Sequence, residues 1–329
     1  MLKYTAKRLL YSVLILFFVM FIIYVLMYNM PNNYVEQRAR ELASKAGNTK
    51  RYDEWLAFFK AQYGMDKGVI GGYFQWLGHA VRGEWGDSWR WTIPVTEEFH
   101  NTVWFSFALG LITFIFEILI AIPLGIAAAK KQYSFTDYFT TVVAMVCISL
   151  PTFFLATLLK YVFVIKLKWF DISGMQGRDF VNLDKMGQIL DVAKHFVLPA
   201  ITLTIISIGG LMRYTRTNML EVLNADYIRT ARAKGVPEKK VINYHAFRNT
   251  LIPLVTTLGG SLPGLFSGAL ITESLFSLRG IGYASFHSMQ DGDIPFTMFY
   301  LAFISILTLL GNLITDLLYG VVDPRVRLS

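Results

Sequence analysis

The residue types that carry out covalent chemistry in enzymes are sparse in this chain of 329 residues. No Gly-Lys dipeptide occurs, so the phosphate-binding loop that ends in Gly-Lys-Ser/Thr is absent. The single cysteine, Cys147, excludes an internal disulfide and a cysteine metal cluster. The histidines are scattered, with no His-x-x-x-His pair among His79, His100, His195, His245 and His287. We therefore predict no catalytic residue, no metal site and no ATP site in this chain.

One acidic side chain has a position that suggests a function. Glu117 is the only charged residue in the apolar run 102–129. In a membrane-spanning helix, a carboxylate at that depth is costly and by default marks a functional site. Two interpretations stay open: Glu117 lines a transport pathway, or it hydrogen-bonds to a neighbouring helix as the neutral acid.

The elements that would position Glu117 are long apolar runs. The chain is 54% hydrophobic and only 16% charged, and crossing a bilayer takes roughly 20 apolar residues. We predict an all-α polytopic membrane protein with six transmembrane helices in one membrane domain. The runs are 9–30, 102–129, 138–165, 196–212, 251–272 and 296–319. The first run is interpreted as a retained span, because no small-residue cleavage site follows it.

The distribution of Lys and Arg predicts the orientation. Basic residues are concentrated at both chain ends and in the segments 130–137 and 213–250, which six spans place on one side. The positive-inside rule assigns that side, with both termini, to the cytoplasm. The segment 31–101 has nine basic and nine acidic residues and suits the outside. The net charge of +8 therefore follows from topology and requires no nucleic acid.

The sequence predicts three regions: the first span with its cytoplasmic end (1–30), an external loop subdomain (31–101), and a five-helix core (102–329) with an inner insert (213–250). The external subdomain contains five of the seven tryptophans. They form a local core or interface belt, or a docking surface for an external partner. The patterns "YDEWLAFFKAQYG" and "GGYFQWLGHAVRG" predict two short helices there.

The fourth and fifth spans contain several Gly and Pro residues and are predicted to be short and broken. In a transporter such residues suit the walls of a pathway that opens and closes; in a static bundle they only pack. The candidate pathway residues are Glu117, Gly259, Gly260 and Pro263. We expect Lys160, near the outer end of the third span, to extend to the membrane interface.

The inner insert is basic and predicts two short helices. Asp226 is the expected N-cap of the first helix, and Gly235 stands where a left-handed C-cap belongs. Pro237 prevents a continuous helix, and Glu238 opens the second. Two shared faces are predicted: Ile228, Ala231 and Arg232 on the first helix; Val241, Tyr244, His245 and Arg248 on the second.

Three uses of this insert compete. It could bind anionic lipid, as basic helices beside a bilayer do. It could resemble a helix-turn-helix, although a DNA reader needs no membrane spans. It could dock a cytoplasmic protein through small and basic side chains. Composition alone leaves lipid binding and protein docking equal.

The stretch "DYIRTARAKGVPEKKVINYHAFRNTLIPLV" at 226–255 resembles the cytoplasmic-loop signature of binding-protein-dependent ABC importer permeases. More narrowly, it is similar to the B-type subunit of the oligopeptide, dipeptide and nickel permeases. The signature glycine corresponds to Gly235, and the closing apolar-Pro pair to Ile252 and Pro253. Arg-Thr-Ala at 229–231 stands where the wider family has Glu-Ala-Ala.

Four other stretches resemble the same branch, so the likeness covers nearly the whole chain. In one of them, "ESLFSLRGIG", Arg279 replaces the proline of the family's Pro-Gly-x-Gly. The stretches are "QYGMD" at 62–66, "GEWGDSW" at 83–89 with Pro-Val at 94–95, "ESLFSLRGIG" at 273–282 and "DPRVR" at 323–327.

The resemblance implies a type I ABC importer permease fold and an import function for oligopeptides or dipeptides, or for nickel or another small solute. It implies four kinds of partner: a homologous C-type permease subunit, one or two cytoplasmic ABC ATPase subunits, an external substrate-binding protein and membrane lipid. ATP and Mg would be hydrolysed by the ATPases, with no cofactor on this chain, in a bacterial cytoplasmic membrane. The ATPase-coupling loop would comprise Asp226, Arg229, Thr230, Ala231, Arg232, Ala233, Lys234, Gly235 and Val236.

Two other functions compete with an ATP-driven permease. A self-sufficient secondary transporter or channel would need ionisable residues along its pathway, and Glu117 is the only central one. It would also leave the insert 213–250 without a role. A membrane anchor or receptor would use the tryptophan-rich segment and leave the broken spans without one.

Overall fold

The computed structural model describes residues 2–29, 34–44, 51–62, 65–171 and 173–322. Within these ranges the chain is helical and has no β-strand, which confirms the all-α prediction. Its contacts divide the chain into two compact units. The first comprises residues 1–102 and 284–309, and the second comprises 103–283 and 310–329. The predicted external subdomain therefore belongs to the first unit.

The first unit begins with the long apolar helix α1 (Leu2–Tyr28). Three short helices follow: α2 (Tyr34–Ser44), α3 (Tyr52–Gln62) and α4 (Gly68–Val81). Helices α3 and α4 confirm the two predicted from the aromatic patterns. Helix α2 was not predicted, because charged residues in it obscure the apolar spacing. Of the element "QYGMD", Tyr63 and Gly64 lie outside the described residues.

The core of this unit is an aromatic cluster centred on Tyr73. Its side chain is fully buried and its hydroxyl donates a hydrogen bond to the carbonyl of Phe17, at 2.7 Å. The ring centroids of Phe17 and Phe21 in α1 lie 5.4 and 5.2 Å from that of Tyr73. Trp76 stacks on Tyr73 at 5.9 Å. For Trp76 the local-core interpretation is therefore correct.

A turn after α4 is fixed by a buried carboxylate. Asp293 is fully buried, and its Oδ2 accepts hydrogen bonds from the Ser88 hydroxyl (2.5 Å) and the Arg90 backbone N–H (3.3 Å). Its Oδ1 accepts from the N–H of Phe296 (3.2 Å). The element "GEWGDSW" is thus a turn held by its serine. Burial raises the pKa of Asp293, and these hydrogen bonds act in the opposite direction.

The second unit contains most of the membrane helices. They are α5 (Val95–Lys130), α6 (Phe135–Ser149), α7 (Thr152–Leu159) and α8 (Lys185–Leu223), then α11 (Phe247–Gly260), α12 (Leu262–Ser267) and α13 (Leu270–Leu275). Helix α14 (Ile281–Gln290) and α15 (Ile294–Val322) complete the chain. The described helices include five long and apolar enough to cross a membrane, and six if one bent pair counts as a span. The protein is therefore a multi-pass membrane protein.

The third predicted span, 138–165, is not straight. Helices α6 and α7 meet at an angle of 98°. The cause is Pro151, which has no backbone N–H and forces the preceding Leu150 into an extended conformation (φ −72°, ψ 122°). Lys160 also differs from expectation, because its ammonium donates to the carbonyl of Leu275 (2.6 Å) instead of extending to the interface.

The fourth span is neither short nor broken, so that prediction was wrong. Helix α8 runs for 39 residues through Pro199 without interruption. A proline within a helix removes a single backbone hydrogen bond, and in a membrane helix neighbouring groups compensate for it. The charged residues at both ends of α8 concealed its length from a hydropathy pattern. Gly209 packs there against α6, where a Cβ would lie 2.5 Å from the carbonyl of Ala144.

The fifth span is broken, as predicted. Helix α11 ends at Gly260, and α12 and α13 are separated at Gly268. Gly268 has φ +76°, a conformation open to glycine at little cost, and a Cβ there would lie 2.2 Å from the N of Gly282.

We predict that Asp293→Asn removes a pH-dependent part of the protein's stability. The raised pKa means that the folded state holds the proton more tightly than the unfolded state does. This contribution is fully present below the ordinary value of 3.8 and is lost as the pH rises through the raised value. The unfolding temperature in detergent, measured for both proteins from about pH 3.5 to about pH 7, tests this. A wild-type advantage that does not fall with pH would contradict it.

Candidate functional site

The inner insert forms helix α9 (Asp226–Ala233), which follows α8 directly. Asp226 is the first residue of α9 and not its N-cap, so that prediction was wrong. The capping position is Ala225, which provides no side-chain cap. The Asp226 carboxylate instead lies 3.4 Å from the Arg229 guanidinium, in a pair that is almost fully exposed. Such a pair adds little stability.

One face of α9 is buried in a cluster that we call the anchor cluster. Its fully buried members lie on four elements: Ala129, Met219, Ile228, Val241, Ile242 and Ala246. Ile228 is the contribution of α9 and has no exposed surface. Ala231 and Val236 pack against the same cluster. The predicted face is therefore confirmed for Ile228 and Ala231, whereas Arg232 lies outside it and is exposed.

The end of α9 has the predicted glycine conformation. Gly235 has φ +74°. Its N–H donates to the carbonyl of Arg232 (2.9 Å), and the N–H of Val236 donates to that of Ala231 (3.2 Å). These two bonds define a Schellman motif. A Cβ on Gly235 would meet no atom within 4 Å, so this turn is open to a partner.

A salt bridge spans the turn. The Arg232 guanidinium donates to both oxygens of Glu238, at 2.8 and 3.1 Å. These hydrogen bonds lower the pKa of Glu238 and raise that of Arg232. The pair joins α9 to α10 (Glu238–Lys240) across Pro237. The second predicted helix begins at Glu238, as expected.

This second helix is not a separate element. Helix α10 continues through a π-helical turn (Val241–Ala246) into α11, so the insert is continuous with the fifth span. The π turn shifts the register of the helix faces. Val241 is consequently buried in the anchor cluster while Tyr244 and Arg248 are exposed and contact each other. The predicted face shared by all four residues was wrong for this reason.

The outer surface of α9 carries the other predicted coupling residues. Arg229, Thr230, Ala233 and Lys234 are exposed, as is the aromatic ring of Tyr227. This surface combines cations, small side chains and one aromatic ring. No contact in the described part of the chain covers it, and its role in coupling stays a prediction.

A second site is a cavity of about 270 Å³ in the same unit. Glu117 lines it from α5, together with Ser106 and Thr113. Helix α8 contributes Ser207, and the start of α12 contributes Gly264. Among the described residues, neither the Glu117 carboxyl nor the buried Thr113 hydroxyl has a hydrogen-bond partner. The described residues therefore provide no hydrogen-bond partner on a neighbouring helix for the Glu117 carboxyl, which that interpretation requires.

The remaining candidate pathway residues lie outside this cavity. A Cβ on Gly311 in α15 would lie 3.2 Å from the ring of Pro263 and 3.8 Å from the carbonyl of Gly259. These two residues therefore pack closely against α15. Gly260 is exposed, with open space around it. Of the four residues, the structure brings only Glu117 to the cavity, and the pathway role of all four stays a prediction.

One functional candidate was missed from the sequence: the buried Glu273 of α13. Its Oε1 accepts hydrogen bonds from the Ser106 hydroxyl (2.7 Å) and the N–H of Ala269 (3.0 Å). Its Oε2 accepts from the N–H of Tyr283 (2.7 Å). Ser106 in turn accepts from the N–H of Ile281 (2.8 Å). Glu273 thus joins α5, the break before α13 and the start of α14, next to the cavity wall. We call this arrangement the Glu273 buckle.

The Glu273 buckle requires glycines at two neighbouring positions, because a side chain there would overlap with its atoms. A Cβ on Gly280 would lie 2.4 Å from the Ser106 hydroxyl and 2.5 Å from the Glu273 carboxyl carbon. A Cβ on Gly282 would meet the backbone nitrogens of Ala269 and Leu270 at 2.9 Å. The Gly-x-Gly in "ESLFSLRGIG" is therefore a steric requirement of the carboxylate. Arg279, the departure from the family pattern, is exposed. The signal available in the sequence was an acidic residue seven positions before two closely spaced glycines.

Comparison with known proteins agrees with this architecture. Residues 121–328 match the family of binding-protein-dependent transport system inner membrane components, and residues 1–89 match the N-terminal domain of such components. The chain belongs to this family. The matched residues 121–328 contain α9, the anchor cluster and Glu273, whereas Ser106 of the Glu273 buckle lies before them.

Three relatives illustrate the likeness across the permease family. The oligopeptide transport system permease protein AppB of Bacillus subtilis is 36% identical over 82% of this chain and 84% of its own length. The dipeptide transport system permease protein DppB of Escherichia coli K12 is 35% identical over 81% and 84%. A putative peptide permease protein of Brucella ovis is 33% identical over the full length of both chains.

We predict that Gly280→Ala destabilises the protein by about 1–3 kcal/mol, because the added methyl overpacks the buckle. The matched control is Gly210→Ala in α8, where a Cβ meets nothing within 4 Å. That change should be neutral or slightly stabilising, since alanine is the better helix former. Unfolding temperatures of the two variants in detergent test this. Equal temperatures would contradict it.

Proposed function

We propose that this permease is one of two membrane subunits of an ATP-driven importer and forms half of the pathway for oligopeptides or dipeptides. A partner binding protein would deliver the peptide from outside. The names of the relatives support the substrate class, because all three are peptide permeases that match at least four fifths of this chain. The chain contributes no catalytic residue, and energy comes from separate ATPase subunits.

The observation that carries the proposal is the continuity between the anchor cluster and the cavity. Helix α5 contributes Ala129 to the cluster and Glu117 to the cavity. Helix α8 contributes Met219 and Ser207 in the same way. At 1.5 Å per residue, each helix spans about 18 Å between the two sites. A displacement of α9 would therefore reach the cavity through two helices at once.

A third connection runs through the broken span. Ala246 lies in the anchor cluster, and the chain continues through α11 to Ser261 at the cavity. Pro253 interrupts the hydrogen bonding of α11 and Gly260 ends it. These are positions where a helix bends at low cost. We infer that α5 and α8 transmit the push and that α11 to α13 bend in response.

The cavity chemistry suits part of a peptide pathway. Its serine and threonine hydroxyls can exchange hydrogen bonds with peptide groups of any sequence. The Glu117 carboxylate can attract the terminal ammonium that every free peptide carries. Gly264 and Gly268 also line the cavity and add no side chain to it. Such a wall favours the peptide backbone over any particular side chain.

The partners follow from the proposal. Helix α9 would enter a cleft of a cytoplasmic ABC ATPase, of which one or two kinds are needed, and ATP with Mg would be bound there and not by this chain. A homologous C-type permease subunit would supply the other half of the pathway. Lipid surrounds the spans of this bacterial cytoplasmic-membrane protein. The basic residues beside α9 support a cytoplasmic location for it and for both termini.

Reconstitution in liposomes tests this function. The permease would be reconstituted together with its neighbouring permease, ATPases and binding protein. A defined mixture of short peptides would then be added to the solution outside the liposomes. We expect uptake that requires ATP and stops when ATP is omitted. Peptide uptake driven by an ion gradient alone would indicate a secondary transporter and overturn the proposal.

The same assay tests the ATP-driven mechanism and the peptide substrate independently of each other. ATPase activity stimulated by the loaded binding protein without any peptide uptake would keep the ATP-driven mechanism. It would also overturn the peptide assignment and direct the search to nickel or another small solute. Binding protein that stimulates no ATP hydrolysis in any condition would contradict the mechanism itself.

A further inference from the structure

A second, much smaller cavity lies beside the amino-terminal half of α8. Its volume is about 20 Å³, which admits one water molecule or one metal ion. Asp171, His195 and Lys194 line it together with Ser173, Gly174 and apolar side chains. It lies far along α8 from the anchor cluster, on the side that the topology assigns to the outside.

Three potential metal ligands lie close together here: Asp171 and His195 line the cavity, and Oδ2 of Asp191 lies 3.9 Å from Nδ1 of His195. One ligand atom each of Asp171, Asp191 and His195 lies within 4.8 Å of the others. The imidazole Nε2 of His195 is 3.7 Å from Oδ2 of Asp171. Zinc bonds to nitrogen and oxygen at about 2.0–2.2 Å each, so one ion can contact both atoms without moving either.

The orientation of the imidazole leaves its metal-binding nitrogen available. Nδ1 of His195 lies 2.7 Å from the backbone carbonyl of Asp191, which can only accept, so Nδ1 carries the proton. The ring is 95% buried, since its side chain retains only 5% of its exposure. Nε2 is fully buried and has no hydrogen-bond partner among the described residues. A buried imidazole nitrogen of this kind needs a partner, and the adjacent cavity has room for a water molecule or an ion.

Hydrogen bonds already hold the Asp191 carboxylate and the His195 ring in position. The carboxylate of Asp191 accepts a hydrogen bond from the N–H of Gly177 (2.7 Å), which fixes its position. The bond from Nδ1 to a backbone carbonyl is the outer-shell contact that metal-bound histidines commonly make. Lys194 lies 4.0 Å from the Asp171 carboxylate, so the site has two carboxylates and one ammonium. The remaining charge of −1 favours a cation.

We propose that Asp171, Asp191 and His195 form a binding site for one divalent transition-metal ion of the zinc type. One imidazole and two carboxylates match zinc and its first-row neighbours, whereas magnesium and calcium prefer oxygen ligands throughout. The ion has a structural role: it ties the segment after α7 to the outer half of α8. The competing explanation is a simple ion pair between protonated His195 and Asp171.

Zinc binding to the full-length protein tests the site. The protein would carry a purification tag without histidine, would be stripped of metal, and would compete with a chromophoric chelator for Zn²⁺ in detergent. We expect about one zinc per chain, bound at least ten-fold more weakly by His195→Gln. Zinc should also raise the unfolding temperature of the wild type and not that of the variant.

Two further variants complete the design. Asp171→Asn changes a half-exposed ligand and should weaken zinc binding even if His195→Gln fails to fold. His79→Gln is the matched control, because His79 also pairs with a carboxylate, Glu84, at 2.7 Å but belongs to no group of three possible ligands among the described residues. Zinc binding should be unchanged in that control. Wild-type zinc affinity in Asp171→Asn would show that zinc binds elsewhere and would overturn the proposal. A wild-type protein that binds no zinc would also overturn it and would leave the ion pair as the explanation of the cluster.

Discussion

The burial of Ile228 is the contact on which the rest of this permease depends. Helix α9 has no side-chain cap and is held to the chain mainly by one apolar face. That face packs on the ends of α5 and α8 and on the start of the fifth span. Because protein interiors are close-packed, we propose that a displacement of α9 is transmitted to these helices. The Schellman turn at Gly235 and the bridge from Arg232 to Glu238 connect the end of α9 to α10.

The other end of this mechanical path is the Glu273 buckle. A buried carboxylate that accepts three hydrogen bonds fixes the relative positions of the elements that donate those bonds. It holds the break between α12 and α13 against α5 at the edge of the cavity that contains Glu117. In the proposed mechanism the fifth span is held at the Glu273 buckle and displaced at its end beside α9, and it bends between them at Pro253 and Gly260. We propose that this arrangement converts a displacement of α9 into a change in the cavity wall.

The sequence predicted the parts of this account that depend on local patterns. Apolar runs predicted all-helical spans, and the Gly-x-Pro of the insert predicted the turn at Gly235. The errors have physical causes. The charged residues at both ends of α8 hid its length from the hydropathy pattern. Pro151 bends an apolar run that hydropathy alone predicts to be one straight helix, and a π turn places Val241 on a different face from the predicted one. Glu273 and Asp293 were missed because their hydroxyl partners, Ser106 and Ser88, lie 167 and 205 residues away, and the two glycines after Glu273 were not recognised as its local signal.

The most direct test of the central claim is the number of peptides imported per ATP hydrolysed by reconstituted Ile228→Ala. The matched control is Met298→Ala, which truncates an equally buried side chain in the core cluster of the first unit. Each change should cost roughly 2–5 kcal/mol of stability. We predict a several-fold lower ratio for Ile228→Ala, because α9 would then move without displacing the spans, and a wild-type ratio for Met298→Ala. A wild-type ratio for Ile228→Ala, or an equal fall in both variants, would contradict the account.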